Sequence, residues 1–365
     1  MEHAVEQSKV AQESAEHEIT EYGVKQVEQK WATYSAEAGS VISMINSGAN
    51  SAEVSDFMRL QHITWLELYV RAVEDSEENG LSEAGLVTLA EALAADETLT
   101  KLVVYGEFGA QGTSAIADIL RTNKVLSSLS LFSAQLGTEG SAALADALRS
   151  NGALSDLRLD YSSVGAKGLM ALADVLRTAM LTSLCLSGTQ LCDVKQVGAD
   201  AWNGHYTAEG VSWLADAMRA NTTLLNVGLD HNDLRAEGAR AIADALEANC
   251  TLSSLNLRLN DIDDDGGVAL ADSLANNTSL KHLNLRDNQR LGWRTAAAFE
   301  AMFAFKQSTA GAPICTVSGI PITKGGKKGG HRRRDAKRQG GGGNDGWSND
   351  LSDVFVRQRG ARRRY

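Results

Sequence analysis

Apolar and polar residues follow a pattern along this chain that recurs every 27 or 28 residues. The clearest copies are residues 224–251 and 252–279, where apolar residues stand at relative positions 1, 4, 6 and 11, an Asn at 9 and a Gly at 15. Each copy predicts a short strand and then a helix beginning near the glycine. A fixed period of this size is typical of a solenoid, in which neighbouring units bury each other's apolar faces.

The pattern extends over eight units in phase. Two units contain additional residues, one around 75–80 and the other at 187–209. We expect the second insertion, which contains Trp202 and Tyr206, to project as a loop from one rim of the solenoid. The units begin at Ile63, Leu99, Leu126, Leu154, Leu181, Leu224, Leu252 and Leu280, and the glycines that precede their helices are Gly85, Gly112, Gly140, Gly168, Gly210, Gly238 and Gly266.

Residues 60–305 resemble the ribonuclease-inhibitor class of leucine-rich repeats, through the apolar positions, the asparagine and the helix that follows. The resemblance implies an α/β horseshoe of about eight units, with parallel strands on its concave face and helices on its convex face. It also implies a hydrogen-bonded ladder of Asn232, Asn260 and Asn288. The upstream units lack this asparagine, so we expect looser turns there, satisfied by water or other side chains. Their residues at this position are Glu107, Ala134, Ser162 and Thr189.

Residues 1–59 lack the repeat and form a predicted helical N-terminal segment. A helix with one apolar face either caps the exposed end of the first unit, or binds a partner or a second copy of itself, and these interpretations fit the spacing. Asn50 and Glu53 predict the capping box of a second, short helix. The apolar face comprises Val24, Val27, Trp31, Tyr34, Ala38, Val41 and Ile45.

Residues 306–323 include an apolar, β-branched stretch that predicts a closing strand or hairpin over the last unit. Residues 324–365 are rich in Gly and charge, and we expect a disordered tail because such a composition cannot bury a core. This tail contains 13 Lys or Arg and 4 Asp, a net charge of +9. The remainder therefore holds 22 Lys or Arg against 42 Asp or Glu, a net charge of −20.

Basic clusters in the tail allow three interpretations. They bind nucleic acid through its phosphates, they direct nuclear import, or they fold back on the acidic body of the chain. The residues concerned are Lys327, Lys328, Arg332, Arg333, Arg334, Lys337, Arg338, Arg362, Arg363 and Arg364.

Strand residues at positions 3, 5 and 7 of each unit should point out of the concave face. Aromatic residues gather at the N-terminal end of this face, and polar or charged residues at the other end. Surface aromatic residues on a rigid scaffold are typical anchors for a protein partner, although the N-terminal segment could instead cover them as a lid. The candidate partner-binding residues are Trp65, Tyr69, Tyr105, Phe132, Arg158 and Tyr161.

The helices predict a solvated convex face that carries an acidic residue in each unit. Arg121, Arg149, Arg177 and Arg219 each follow an Asp by three residues, which favours ion pairs within each helix. Asn221, Asn249 and Asn277 end three helices and begin Asn-x-Ser/Thr sequons; we expect them to adopt the left-handed conformation of a helix cap.

Enzymatic motifs are not found: the sequence has no phosphate-binding loop, nucleophile elbow or His pair at metal spacing. Cys185, Cys192 and His205 match no common zinc pattern, and free thiols in a reducing compartment are the better interpretation. We therefore expect no catalytic residue, cofactor or metal. The sequence has no run of about 20 apolar residues, so we expect no membrane span. The polar N-terminus does not resemble a secretory signal.

These observations favour an intracellular, monomeric, non-enzymatic scaffold that binds a protein on its concave face, in the cytoplasm or the nucleus. One alternative is a factor associated with RNA or ribonucleoprotein that uses the basic tail. A more remote alternative is a GTPase-activating protein of the Ran type, a relative in the same repeat class. That protein carries an acidic tail, whereas this tail is basic, and no catalytic Arg or Asn can be matched to it.

Overall fold

The computed structural model of the chain describes residues 37–70, 80–196, 202–309 and 315–320. Strands and helices alternate through this part of the chain, as the period predicts. Residues 37–46 form helix α1, and α2 (Ser51–Leu60) leads into the first strand. The paired elements that follow are β1 (Trp65–Tyr69) and α3 (Glu83–Leu93), β2 (Lys101–Tyr105) and α4 (Ala110–Thr122), β3 (Ser128–Phe132) and α5 (Gly137–Ser150), and β4 (Asp156–Arg158) and α6 (Gly165–Leu176).

The second half of the chain repeats this order with one interruption. Strand β5 (Ser183–Cys185) is followed by a small antiparallel hairpin, β6 (Lys195–Gln196) and β7 (Trp202–Asn203), before the next helix begins. The remaining elements are α7 (Glu209–Ala220), β8 (Asn226–Gly228), α8 (Arg235–Ala248), β9 (Ser254–Asn256), α9 (Asp264–Asn276), β10 (His282–Asn284), α10 (Trp293–Ser308) and β11 (Thr316–Ser318).

One open sheet runs the length of the stack. Its nine strands are ordered β1-β2-β3-β4-β5-β8-β9-β10-β11, and every neighbouring pair is parallel. The units are in register, so that Leu66 faces Leu102 and Leu102 faces Leu129. This is the solenoid that the sequence predicts, with β11 added as a parallel closing strand.

The core lies between the sheet and the helices. Leucines at positions 1, 4 and 6 of the units are buried, for example Leu252, Leu255 and Leu257. The recurring glycines lie in the first turn of the helices and let neighbouring units approach closely. A Cβ at Gly210 would lie 2.7 Å from the Cα of Ala166 in the preceding unit. Since real Cβ atoms do not approach backbone so closely, a side chain there would push the units apart.

Asparagines at the ends of the helices join one unit to the next. Asn249 Oδ1 accepts hydrogen bonds from the backbone N–H groups of Thr251 and Leu252, and its Nδ2 donates to the Met218 carbonyl at 2.7 Å. The predicted left-handed cap is wrong, because these asparagines have φ between −93° and −67° with extended ψ. Five helix-end asparagines, which include those of the three sequons, are buried and make such bonds to the preceding unit: Asn123, Asn151, Asn221, Asn249 and Asn277.

A second ladder runs through the turns that follow the C-terminal strands, as the resemblance implies. Asn260 Oδ1 accepts from the backbone N–H of Asn232 at 2.9 Å, and its Nδ2 donates to the Leu229 carbonyl at 2.9 Å. Asn288 makes the equivalent bonds to the unit of Asn260. Upstream, the hydroxyl of Ser162 accepts from the N–H of Ala134 at 3.2 Å and donates to the Leu131 carbonyl at 3.0 Å. A shorter side chain therefore satisfies part of the turn there.

The two ends of the stack are covered on the helical side. Ala38, Val41, Ile42 and Ile45 of α1 are buried in the common core. Helix α2 begins with the predicted capping box, in which Asn50 and Glu53 each bond the other's backbone N–H. At the far end, the ammonium group of Lys306 donates to the Asn277 carbonyl and closes the helix-end ladder. Residues 1–36, with the rest of the predicted N-terminal helix, lie outside the described residues.

The convex face is more interconnected than predicted. Arg121 pairs with Asp118 of its own helix at 2.7 Å, but also with Asp146 of the next unit at 3.4 Å. Arg149 pairs with Asp174 of the next unit at 2.7 Å, rather than with Asp146 of its own helix. The ion pairs of this face thus lie largely between units. Within the described ranges, no helix is long and apolar enough to cross a membrane.

Candidate functional site

Three aromatic side chains form a column across the N-terminal strands of the concave face. Tyr69, Tyr105 and Phe132 occupy position 7 of consecutive units and are paired in register. Their ring centroids are 4.8 Å apart at both steps, with interplanar angles of 18° and 12°. Because neighbouring strands lie about 4.8 Å apart, side chains in register stack face to face. We call these three residues the aromatic column.

The two ends of the aromatic column differ. The guanidinium carbon of Arg158 lies 5.6 Å from the Phe132 ring centroid and covers that end. Arg158 is itself held by Asp160, with Nε 3.0 Å from a carboxylate oxygen that belongs to a side chain only 4% exposed. Tyr69, at the other end, is 59% exposed. The column is therefore closed by a cation at one end and open at the other.

Strand β1 adds three outward-pointing side chains at the open end: Trp65, Glu67 and Tyr69. The ammonium nitrogen of Lys101 lies 4.3 Å from the Trp65 ring centroid. The carboxylate of Glu67 lies near the hydroxyl of Tyr105. Partial burial, together with this carboxylate, raises the pKa of Tyr105 to about 12, so its hydroxyl stays protonated at neutral pH.

A polar network crosses the middle of the concave face, beside the aromatic column. The thiol of Cys185 donates to Asp160 at 2.9 Å, and the hydroxyl of Ser187 donates to Asp230 at 2.7 Å. Asn256 also donates to Asp230, at 2.8 Å. Burial raises the pKa of the Cys185 thiol to about 12, with a further contribution from Asp160, and the group is therefore a neutral donor. The network holds the carboxylate that orients Arg158.

Sequence reasoning missed this network. Its signal was a run of polar residues at positions 5 and 7 of the middle units, which reads as an ordinary solvated strand face. The partners become visible only when the register is known, since Ser187 and Asp230 are 43 residues apart on either side of the insertion.

Tyr161 lies apart from the other candidate residues. It follows β4 in a left-handed conformation, with φ of 58°, and its ring packs over Gly188, where a Cβ would collide with it. Its ring centroid is 6.2 Å from that of His231, and the side chain is 53% exposed. The structure thus brings five of the six predicted residues together, and places Tyr161 on the rim nearer the insertion.

The base of the insertion is packed against the next unit. The hydroxyl of Tyr206 donates to the Leu234 carbonyl at 2.8 Å, and the guanidinium of Arg235 lies 4.3 Å from the Tyr206 ring centroid. Cys192 is fully buried here, whereas Cys185 belongs to the concave network. All four cysteines are free thiols, and the described residues contain no group of three or more His, Cys, Asp or Glu suited to a metal ion. The ten basic residues named from the clusters in the tail lie outside the described residues.

A family model for the leucine-rich repeat matches residues 220–243, 248–271 and 276–292. No curated protein matches the sequence significantly. Among solved structures, the leucine-rich repeat-containing protein LegL7 from Legionella pneumophila is similar at 18% identity and a TM-score of 0.43, over 67% of this chain and 72% of that one. Actin-binding site 2 of leiomodin-1 is similar at 19% identity and a TM-score of 0.34, over 43% of this chain and 79% of that one.

The matched segments coincide with the three units that carry the turn asparagines, and the same strand–helix unit continues upstream through the in-register sheet. Residues 220–292 therefore consist of leucine-rich repeats, and the described part of the chain has the fold of a leucine-rich-repeat solenoid.

Proposed function

We propose that this chain is a non-enzymatic scaffold that binds a protein partner on the N-terminal half of its concave face, with the aromatic column as the anchor. One observation carries the proposal: Tyr69, Tyr105 and Phe132 are stacked in register on a rigid sheet, and the column remains accessible at Tyr69. Aromatic residues dominate the energetics of protein interfaces because they supply a large contact area at a small cost in conformational entropy.

The order of this surface before binding supports the proposal. The rings are already stacked, and Arg158 is already fixed between Phe132 and the buried carboxylate of Asp160. Side chains that are immobile in the free protein lose little further entropy when a partner binds, so more of the contact energy is available as affinity. Arg, like Tyr, is enriched among the residues that contribute most to interfaces.

Site-specific crosslinking tests the location of the partner. A photoreactive phenylalanine analogue is placed at Tyr69, and in a matched protein at Trp213, which is 41% exposed on helix α7. We expect the same partner to be crosslinked repeatedly from position 69 and not from position 213. Crosslinking from both positions with equal yield would contradict a concave-face site.

The affinity of the purified, crosslinked partner then tests the anchor. Tyr105→Ala removes the ring at the centre of the column, and we expect the Kd to rise about 10- to 30-fold, as for a central interface residue. Trp213→Ala serves as the control and should leave the Kd unchanged. An unchanged Kd in Tyr105→Ala, together with lower thermal stability, would favour the alternative in which the aromatic residues are a site for the chain's own N-terminal segment.

The RNA-associated alternative makes a different prediction about the tail. Changing the ten basic residues of its two clusters to Gln in the full chain should leave the concave-face partner bound with the same Kd. If it instead abolishes all binding, and binding falls steeply with salt, the tail rather than the repeats is the binding element.

A further inference from the structure

We propose that the segment received by the concave face is basic, and that one of its Arg or Lys side chains lies on the free face of Tyr69 and pairs with Glu67. This inference rests on the proposed function and specifies the chemistry of the partner. It follows from how cations and carboxylates are distributed around the aromatic column.

Cations already lie over two other aromatic rings of this surface. Lys101 lies over Trp65 at 4.3 Å, and Arg158 lies over Phe132 at 5.6 Å, both distances being to the ring centroid. Both are within the range in which the ring quadrupole attracts a cation. Tyr105 is stacked between its two neighbours. Among the described residues, no cation lies over Tyr69, whose side chain is 59% exposed at the edge of the sheet.

Glu67 supplies the complementary charge. It lies two residues before Tyr69 on β1 and shares its face of the sheet. The strand register sets Glu67 one alternation away from the Tyr69–Tyr105 pair, and its carboxylate is close enough to the Tyr105 hydroxyl to raise the pKa of that group. In the part of the chain that the structure describes, the half-buried Glu67 takes part in no ion pair. A carboxylate without a cation, next to an open aromatic face, is the arrangement that suits an incoming guanidinium or ammonium group.

Other occupants fit this site less well. Nucleic acid would bring phosphates toward Glu67 and toward a body with a net charge of −20 outside residues 324–365. A second copy, paired through the edge strand β1 about a two-fold axis, would place the central Glu67 of each copy opposite the other, and like charges directly opposite are destabilising. Attraction between an acidic body and a basic partner also speeds association.

The test measures binding of a defined basic probe to the full chain. Fluorescence anisotropy is recorded with a fluorescein-labelled peptide of four Gly-Ser-Arg repeats, and with a matched peptide in which Gln replaces Arg. We expect only the Arg peptide to bind measurably. Tyr69→Leu should raise its Kd about threefold, the loss of one partly exposed cation–π contact, and Tyr69→Phe should bind about threefold more tightly than Tyr69→Leu.

Charge is tested with a matched pair of substitutions. Glu67→Gln and Asp216→Asn each remove one carboxylate, the first beside the aromatic column and the second on the exposed face of helix α7. We expect Glu67→Gln to raise the Kd about threefold and Asp216→Asn to change it by less than about 1.5-fold. Equal effects of the two would show diffuse attraction to the acidic body and would overturn the proposal, as would equal binding of the Gln peptide.

The chain's own basic tail is the remaining candidate occupant. A full-length variant with Arg362, Arg363 and Arg364 changed to Gln should bind the probe with an unchanged Kd if the site receives a partner. Tighter binding by about threefold or more would show that the tail already occupies it. If Tyr105→Ala weakens the crosslinked partner while Glu67→Gln affects neither partner nor probe, the proposed function stands and this inference fails.

Discussion

The N-terminal and C-terminal units of this solenoid follow the same backbone path, but different side chains form the hydrogen bonds to the backbone of their turns. In the C-terminal units, Asn260 and its equivalents each bridge two neighbouring turns. In the N-terminal units a serine hydroxyl, that of Ser162, makes a shorter-reaching version of this bridge. The helix-end asparagines run through both halves, replaced by Asp96 in the first unit and by Thr178 before β5. The comparison teaches that the turn after the strand accepts substitutes more often than the helix end does.

The strands of the N-terminal and C-terminal units also differ, in their length. Strands β1 to β3 are five residues long, and the later strands of the nine-stranded sheet are three. The longer pairing extends register to position 7 and aligns the aromatic rings. In the middle units the position-7 residues are polar and bond one another across the sheet instead, as Ser187 and Asp230 do. The aromatic column therefore occupies the region where backbone pairing itself holds the side chains in line.

The largest expected effect sharpens the comparison of the turns. Asn260→Ala leaves the buried N–H of Asn232 without its partner and removes one of the two hydrogen bonds to the Leu229 carbonyl, the other being donated by Asn232, and we expect a loss of about 2 kcal/mol in the free energy of unfolding. Ser162→Ala removes one hydroxyl, whose accepted bond is the longer at 3.2 Å, and should cost about 1 kcal/mol. Urea titration followed by far-UV circular dichroism measures both. Equal losses would mean that the two halves depend on their turns alike.

Arg158 provides an effect of similar size, because its partner carboxylate is buried. Arg158→Met keeps the apolar stem but leaves Asp160, 4% exposed, without its cation, and we expect a loss of about 2 kcal/mol. The C-terminal pair of Arg258 and Asp287 is 44% and 48% exposed, so Arg258→Met should cost less than about 0.5 kcal/mol.

A double-mutant cycle on Arg158 and Asp160 provides the control. Arg158→Met with Asp160→Asn should lose less stability than the sum of the two single variants, since no buried charge remains, with a coupling of about 1 kcal/mol or more. Additive losses would mean that the pair does not interact and that Arg158 is held over Phe132 by packing alone.

The architecture could be predicted from the sequence because it is periodic. The unit length, the strand positions and the glycines at the starts of the helices recur in phase, so that the assignment of each unit is supported by the others. Position 7 of the first three units also predicted the alignment of Tyr69, Tyr105 and Phe132, since strand alternation and a constant period place them on the same line.

The side-chain partnerships could not be predicted, because they join different units. Arg149 reaches Asp174 rather than its helical neighbour, and Tyr161 packs over Gly188 rather than beside the aromatic column. The helix-end asparagines show another limit: an Asn after a helix fits both a left-handed cap and an extended residue whose side chain bonds the next turn. Only the second is compatible with joining neighbouring units.

A smaller effect concerns helix α10, whose N-cap Gly292 has no side chain to offer. Asp264 of the preceding unit caps this helix instead, accepting from the N–H groups of Gly292 and Thr295 at 2.8 and 3.0 Å. Burial alone would raise the pKa of Asp264, but the bonds from Thr295 and Gly292, with Arg294 nearby, lower it. Its contribution to stability is therefore present above the ordinary carboxylate pKa and is lost as the pH falls through the lowered value.

We expect Asp264→Asn to cost about 1 kcal/mol at neutral pH, as for other helix caps, and to flatten the decline of stability in acid below the ordinary carboxylate pKa. Glu83 caps α4 in the same way from the preceding unit, through the N–H of Gly112 at 2.8 Å, so Glu83→Gln provides the N-terminal counterpart. Asp272→Asn, on the exposed helix face, is the control. A loss in that control equal to that of Asp264→Asn would rule out the capping explanation.

The smallest effect is expected on the convex face, where both halves carry ion pairs between units. Arg149 and Asp174 are 56% and 68% exposed, and Arg240 and Asp265 are both 48% exposed. Water screens such pairs, so Arg149→Gln and Arg240→Gln should each change the free energy of unfolding by less than about 0.5 kcal/mol, and by still less in 1 M salt. Urea titrations at low and high salt measure this. A loss above about 1 kcal/mol that persists in high salt would mean that the convex face, and not only the buried ladders, joins the units.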